Sequence, residues 1–198
     1  MLTGLGHKLI EVDFSELSSG ICSYYVIAPA ECSSNLSRFD GVKYGYRSEG
    51  EKDIANLYMN TRSDGFGDEV KKRILIGTHV LSAGFYDAYY LQAQKVRRMI
   101  KVKFESFFKD VDLIFMPTTL DQAFEKNRKS DDPNRMYKED LLTIPANLAG
   151  LPAISFPNGF KNNLPIGGQL IGKYFGEDLL LNTTNKIQEV TDWHKMTP

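Results

Sequence analysis

The stretch MYKEDLLTIPANLAGLPAISFPNGFKNNLPIGGQLIGK, Met136 to Lys173, decides how the rest of the chain is read. Polar residues are few in it, and almost every change of direction falls at a Pro or a Gly. Pro145, Pro152, Pro157 and Pro165 each fix a backbone angle and disfavour helix in the residue before them. One continuous element is therefore excluded, and the stretch must be short pieces joined by defined turns. Leu148 to Ile154 and Leu164 to Ile171 read as two short apolar runs bounded by Gly and Pro, the second as a buried strand. Its paired glycines, Gly167 and Gly168, let another part of the chain approach closely. This composition describes a buried wall.

Outward from the wall, Val111 to Met116 reads as a second buried strand ending at Pro117, with Thr118 and Thr119 at its carboxyl end, where ligands sit in open α/β sheets. Glu69 to Lys109 is the strongest helical signal, and Gly77, Gly84 and the aromatic run Phe85 to Tyr90 point to two helices with a break near Gly84. Ser15 to Ser37 fits a helix packed on a sheet, with Pro29 as the place for a kink. Leu9 to Phe14 alternates apolar and polar residues as a half-buried strand does, after a Gly4 to Gly6 turn of the kind that ends a helix. Arg38 to Arg47 reads as a polar, aromatic surface turn around Asp40-Gly41.

The chain has 198 residues, 42% hydrophobic and 25% charged, enough for one sizeable core and one domain over 1–198. A formal net charge of -1 gives no global basic field to attract nucleic acid. Lys95, Arg97, Arg98, Lys101 and Lys103 cluster on the second predicted helix, a pattern that is usually a solvated face and otherwise a subunit or nucleic-acid contact. Two cysteines, Cys22 and Cys32, are too few for a disulfide framework and lack companions at metal-ligand spacing, which points to a reducing compartment. No stretch reaches the roughly 18 consecutive apolar residues of a membrane span, so a soluble protein of the cytoplasm or an organellar matrix is expected.

Amide hydrolysis needs a nucleophile, a base that activates it and fixed donors for the oxyanion. The sequence holds no such set: there is no GxSxG and no HExxH, and His7, His79 and His194 are scattered without carboxylate companions. Gly167 to Lys173 matches GxxxxGK, but Tyr174 stands where a phosphate-binding loop requires Ser or Thr, and Leu170-Ile171 reads as strand.

PANLAGLPAISFPNG followed by LPIGGQLIGK resembles the C-terminal signature of the amidase signature family. NLSRFDGVKYGYR at Asn35 to Arg47, the run TRSDGFGDEVKKRILIGTHVLSAGFYDAYYLQAQKVR, and DDPNRMYKED at Asp131 to Asp140 are similar to the branch of that family that serves tRNA-dependent glutamyl or aspartyl amidotransferases. The resemblance covers nearly the whole chain but only about the last two fifths of such a subunit. It implies an α/β fold, the C-terminal part of an amidase signature fold, with a mixed β-sheet covered by helices. It also implies strands supplied by the part upstream, beside Leu9 to Phe14. The Ser, cis-Ser and Lys that such enzymes use for catalysis lie in a Gly- and Ser-rich segment with no counterpart here, so no catalytic residue is expected in this chain.

What the resemblance carries over is recognition of glutamine: Tyr24 of SYYVIA, Arg73 of VKKRILIG for the α-carboxylate and Asp140 of MYKED for the α-ammonium. The chemistry is reasonable in itself, since Arg offers a planar fork to a carboxylate and Asp only accepts, as an ammonium requires. Each has a plain alternative: Arg73 beside Lys71 and Lys72 as one more solvated base, Asp140 as a helix cap, Tyr24 as core. The resemblance further implies B and C subunits of a heterotrimer, misacylated tRNA as the acceptor reached through that complex, and ATP and magnesium used by a partner subunit, with no cofactor on this chain. Two other readings stay open. One is an amidase of the same family acting on other amides; the other is a non-catalytic fragment that contacts tRNA or a partner protein through Arg38 to Arg47 and Lys95 to Lys103.

Overall fold

The computed structural model describes residues 1–50, 52–126 and 139–197, with backbone only at 16 and 17. These fall into two compact units, one of Met1–Ile21 with Arg97–Pro198 and one of Cys22–Val96.

In the Cys22–Val96 unit the first helix, α1, spans Gly20–Leu36 and carries Pro29 in its interior. The second, α2, spans Ile54–Gly65 and opens on Asp53, whose side chain accepts from the Asn56 backbone N–H at 3.1 Å, the usual acidic cap. The third, α3, spans Asp68–Val80, with Asp68 and Glu69 in the first turn where the helix dipole favours acids. The expected break follows: Gly84 takes a left-handed φ of 90°, and Tyr86–Tyr90 forms a short π-helix. A Cβ on Gly77 would lie 1.9 Å from the Pro29 carbonyl oxygen. The backbones of α1 and α3 therefore touch at Gly77, which is why a helix interior tolerates a glycine there.

Helix α4 (Leu91–Phe107), which belongs to the other unit from Arg97 on, buries Ile100 and Phe104 and leads into strand β1, Leu113–Pro117. A short helix α5 (Ile144–Ala149) ends at the left-handed Gly150. Strands β2 (Ala153–Lys161) and β3 (Leu164–Gly172) follow, then α6, Glu177–Glu189. The sheet order is β1-β3-β2, with β3 central and buried from Gly168 to Gly172. Both neighbours run antiparallel to β3, so the sheet expected as mixed has only antiparallel pairs among the described residues. For β2 and β3 the cause is local: Asn162 and Asn163, at φ 52° and 61°, form a two-residue hairpin turn that folds β3 directly back on β2. Phe156, Leu170, Leu180 and Ile187 form a core between the sheet and α6.

Leu9 to Phe14, expected as a strand, is not paired as one. A strand requires a hydrogen-bonded neighbour, and no described strand pairs with it; only the alternation survives, with Val12 and Phe14 half-buried and Glu11 and Asp13 exposed. Phe14 stacks on Phe107 at 5.1 Å and meets Phe104 edge-on at 5.7 Å.

Candidate functional site

Tyr24 sits on α1, one turn and a half before Pro29, and Arg73 on α3, one turn before Gly77. The contact at Pro29 and Gly77 sets the register of the two helices and brings Tyr24 and Arg73 together. Arg73 Nε donates to Glu69 Oε1 at 3.0 Å, an i,i+4 pair on the same helix face. The bond to Glu69 holds the guanidinium more firmly protonated than a free arginine, against the opposing effect of burial, with the Glu69 charge and then the nearby Tyr24 phenol adding to it. With about a third of the Arg73 side chain exposed, the pair adds at most about 0.5 kcal/mol to stability. Its consequence is orientation: with Nε engaged, the Nη end of the fork remains to meet Tyr24 and a carboxylate.

Asp140 belongs to the other unit, half-buried in the turn that enters α5. Its carbonyl accepts from Ile144 N–H at 3.0 Å and Thr143 N–H at 3.2 Å, so it starts the turn with its backbone, while Thr143 stands at the helix N-cap. The segment before it, residues 127–138, lies outside the described residues, and with it most of the DDPNRMYKED motif.

The residue that sequence reasoning passed over is Gln169. It is 2% exposed, and its Nε2 donates to the Leu142 carbonyl at 2.8 Å and the Pro117 carbonyl at 3.2 Å. One buried amide thereby ties the Asp140 turn to the carboxyl end of β1, beside Thr118. The polar residue inside the apolar run Ile166 to Ile171 was the signal, since a buried amide is retained where it satisfies backbone groups. The paired glycines act as expected: a Cβ would meet Thr118 Oγ1 at 2.9 Å from Gly167 and the Phe115 ring at 2.9 Å from Gly168.

The basic candidates are largely committed within the fold. Arg97 Nε donates to the Leu148 carbonyl at 3.0 Å, Lys101 lies over the Tyr174 ring and Lys103 over the Phe107 ring. Arg47 donates to the Gly41 carbonyl at 2.9 Å and Arg38 Nε to the Asn35 carbonyl at 3.0 Å, so the loop between them is built around its own backbone. The surface-turn reading of Arg38 to Arg47 accounts for these bonds. Among the described residues no group of three or more His, Cys, Asp or Glu side chains could hold a metal ion, and no helix is long and apolar enough to cross a membrane.

The amidase family model matches residues 1–181, and the chain belongs to that family. Over 194 residues, 98% of its length, it is 58% identical to the A subunit of the glutamyl-tRNA(Gln) amidotransferase of Hahella chejuensis, of which it covers 40%. The crystal structure of the A subunit of the Thermotoga maritima glutamyl-tRNA(Gln) amidotransferase matches 90% of this chain and 34% of its own, with 42% identity and a TM-score of 0.63. A 6-aminohexanoate cyclic dimer hydrolase superposes over the whole chain and 40% of its own with a TM-score of 0.69 at 20% identity, which speaks for the fold alone. The chain thus spans about 40% of the length of the curated relatives it matches.

Proposed function

We propose that this chain is the glutamine-recognising part of a tRNA-dependent amidotransferase, with Arg73 and Tyr24 binding the α-carboxylate of glutamine and Asp140 its α-ammonium. The observation that carries the reading is the Glu69-oriented Arg73 guanidinium beside Tyr24. The 58% identity to the A subunit of a glutamyl-tRNA(Gln) amidotransferase supports it. Ammonia released from glutamine would pass to a partner protein, which would use ATP and magnesium to amidate the misacylated tRNA, with a third subunit completing the assembly. Both cysteines are free thiols, in keeping with a reducing cytoplasm or organellar matrix.

Hydrolysis itself belongs to residues outside this chain. The purified 198-residue protein should therefore release no ammonia from glutamine above background, and turnover by it would overturn that part of the reading. In an assembly where this chain is joined with the remaining length of the Hahella relative, Arg73→Ala should raise the glutamine requirement while leaving the use of free ammonia nearly unchanged. Each charge-assisted bond is worth roughly 1.5–3 kcal/mol, so the loss in kcat/KM should be about ten- to hundredfold. Equal loss with glutamine and ammonia would make Arg73 a structural residue.

A further inference from the structure

Among the described residues of β1, β2 and β3 that are buried, Gln169 carries the one polar side chain. It sits within the central strand, opposite Met116 on one side and Ser155 on the other, so its own backbone is held from both edges. Successive residues of a strand face opposite ways, and Leu170 packs into the core with Leu180 of α6. Gln169 therefore faces away from that core, toward the turn of residues 140–143, and its Nε2 donates to the Leu142 carbonyl at 2.8 Å and the Pro117 carbonyl at 3.2 Å. The two acceptors depend on it unequally. Pro117 stands opposite Gly168 in the ladder, and the next residue, Thr118, donates its N–H to the Gly167 carbonyl at 3.0 Å, so the end of β1 is fixed without the amide. Helix α5 is likewise anchored by the burial of Ile144, Ala146 and Leu148. The turn that carries Asp140 is half-buried and bonded within itself, Thr143 and Ile144 donating to the Asp140 carbonyl at 3.2 and 3.0 Å. Through Leu142, Gln169 ties that turn to the sheet.

We infer that Gln169 is a positioning residue for the α-ammonium of glutamine: it holds the turn that presents the Asp140 carboxylate where that charge is met. The inference rests on Asp140 as the partner of the ammonium. An apolar side chain of the same length would fill the same space, so what the amide adds is direction, two N–H donors in one plane that fix the turn against the end of β1. A bond between an ammonium and a carboxylate is short, and a displacement of about 1 Å at such a contact costs up to about a hundredfold in rate. Without the amide, β1 and α5 stay where their own bonds and burial hold them while the turn ahead of α5 relaxes. The functional loss then falls on the ammonium contact. The α-carboxylate falls to Arg73, which belongs to the other unit and bonds to Glu69. Gln169 thereby sets the preference for an amino acid over an amide that lacks the α-amino group.

The test uses the assembly in which this chain is joined with the remaining length of the Hahella relative. Gln169→Met keeps the length of the side chain and removes its donors; it is compared with the wild type on glutamine and on glutaramic acid, which is glutamine without its α-amino group. Use of free ammonia reports that the assembly has formed. The expected result is a loss in kcat/KM of about ten- to hundredfold for glutamine, carried mainly by KM, with glutaramic acid and free ammonia within about twofold of the wild type. Asp140→Asn should show the same split, and the double variant should lose no more on glutamine than Asp140→Asn alone, because both changes act on one contact. Losses that multiply in the double variant would give Gln169 a separate role and overturn the inference. If Asp140→Asn separates the two amides and Gln169→Met does not, the inference fails and the glutamine reading stands. If Asp140→Asn lowers both alike, the ammonium site itself is refuted and the inference with it. Should Gln169→Met not assemble, Gln169→Asn, too short to reach both carbonyls, repeats the comparison. A loss shared by glutamine, glutaramic acid and free ammonia in both variants would make the residue purely structural and overturn the inference.

Discussion

Replacing Gly77 with alanine places a methyl group 1.9 Å from the Pro29 carbonyl oxygen, 2.5 Å from its carbon and 2.7 Å from Ser33 Oγ. Ordinary contact begins near 3.4 Å, so α1 and α3 must move apart by roughly 1 Å or more at their crossing, or the turn around Pro29 must yield. Pro29 and Ser33 are both buried, and Ser33 Oγ already donates to the Ala30 carbonyl at 2.9 Å, so neither can swing aside into solvent. Overpacking of this kind costs about 1–3 kcal/mol, against which alanine recovers up to about 1 kcal/mol of helix propensity. Because the clash is with backbone, the cost falls at the upper end of that range, and the net loss of about 2 kcal/mol lowers the melting temperature of a chain of this size by roughly 4–8 °C. Thermal melting by circular dichroism measures it, with Gly4→Ala, where a Cβ meets nothing within 4 Å, as the neutral control. Because the same crossing sets Tyr24 beside Arg73, the variant should also loosen that pair. A Gly77→Ala protein that melts with or above the wild type would refute the helix contact and with it the registration of the two side chains.

Gln169→Leu leaves the Pro117 and Leu142 carbonyls without their donor and should cost about 1–3 kcal/mol in urea unfolding. An unchanged urea midpoint would show that the two carbonyls find other donors. Asp40 accepts backbone N–H bonds from Val42 at 2.8 Å and Lys43 at 3.2 Å, which hold its carboxyl below the ordinary carboxylate range. With the folded value lowered, the carboxylate stabilises the 38–47 turn at every pH above the unfolded value of about 3.9 and loses that contribution as pH falls through the folded value. Carbon NMR titration should place the Asp40 midpoint below about 3.9, and Asp40→Asn should remove this share of the acid dependence; a midpoint at or above about 3.9 would contradict the turn.

Backbone punctuation was legible in the sequence where its cause is local. Pro145 falls at the start of α5, Gly150 and Pro152 part α5 from β2, and Gly84 parts α3 from α4, whereas Pro157 lies inside β2 and Pro165 inside β3. The helices α2 and α6 were missed although each carries a start signal, Asp53 as a cap and Glu177-Asp178 in a first turn. Both are short, and the apolar residues they bury are few: Leu57 in α2, Leu180 and Ile187 in α6. The Asn162-Asn163 pair was a readable hairpin signal that makes β2 and β3 antiparallel. Leu9 to Phe14 failed for a different reason: alternation measures the tendency of a segment to be a strand, and pairing depends on a neighbour elsewhere in space. At the proposed site, Tyr24, Arg73 and Asp140 were carried over from the family resemblance, and the Glu69 bond that aims Arg73 and the buried Gln169 that anchors the Asp140 turn depend on tertiary packing.

The charge assigned to Arg73 can be tested by removing its counterpart from the substrate. In the joined assembly, glutamine and 4-aminobutanamide, which is glutamine without its α-carboxylate, are compared for amide hydrolysis by the wild type and by Arg73→Ala. The account predicts that the substitution lowers kcat/KM for glutamine about ten- to hundredfold and leaves 4-aminobutanamide, already a poor substrate, within about twofold. An equal loss on both substrates would contradict it.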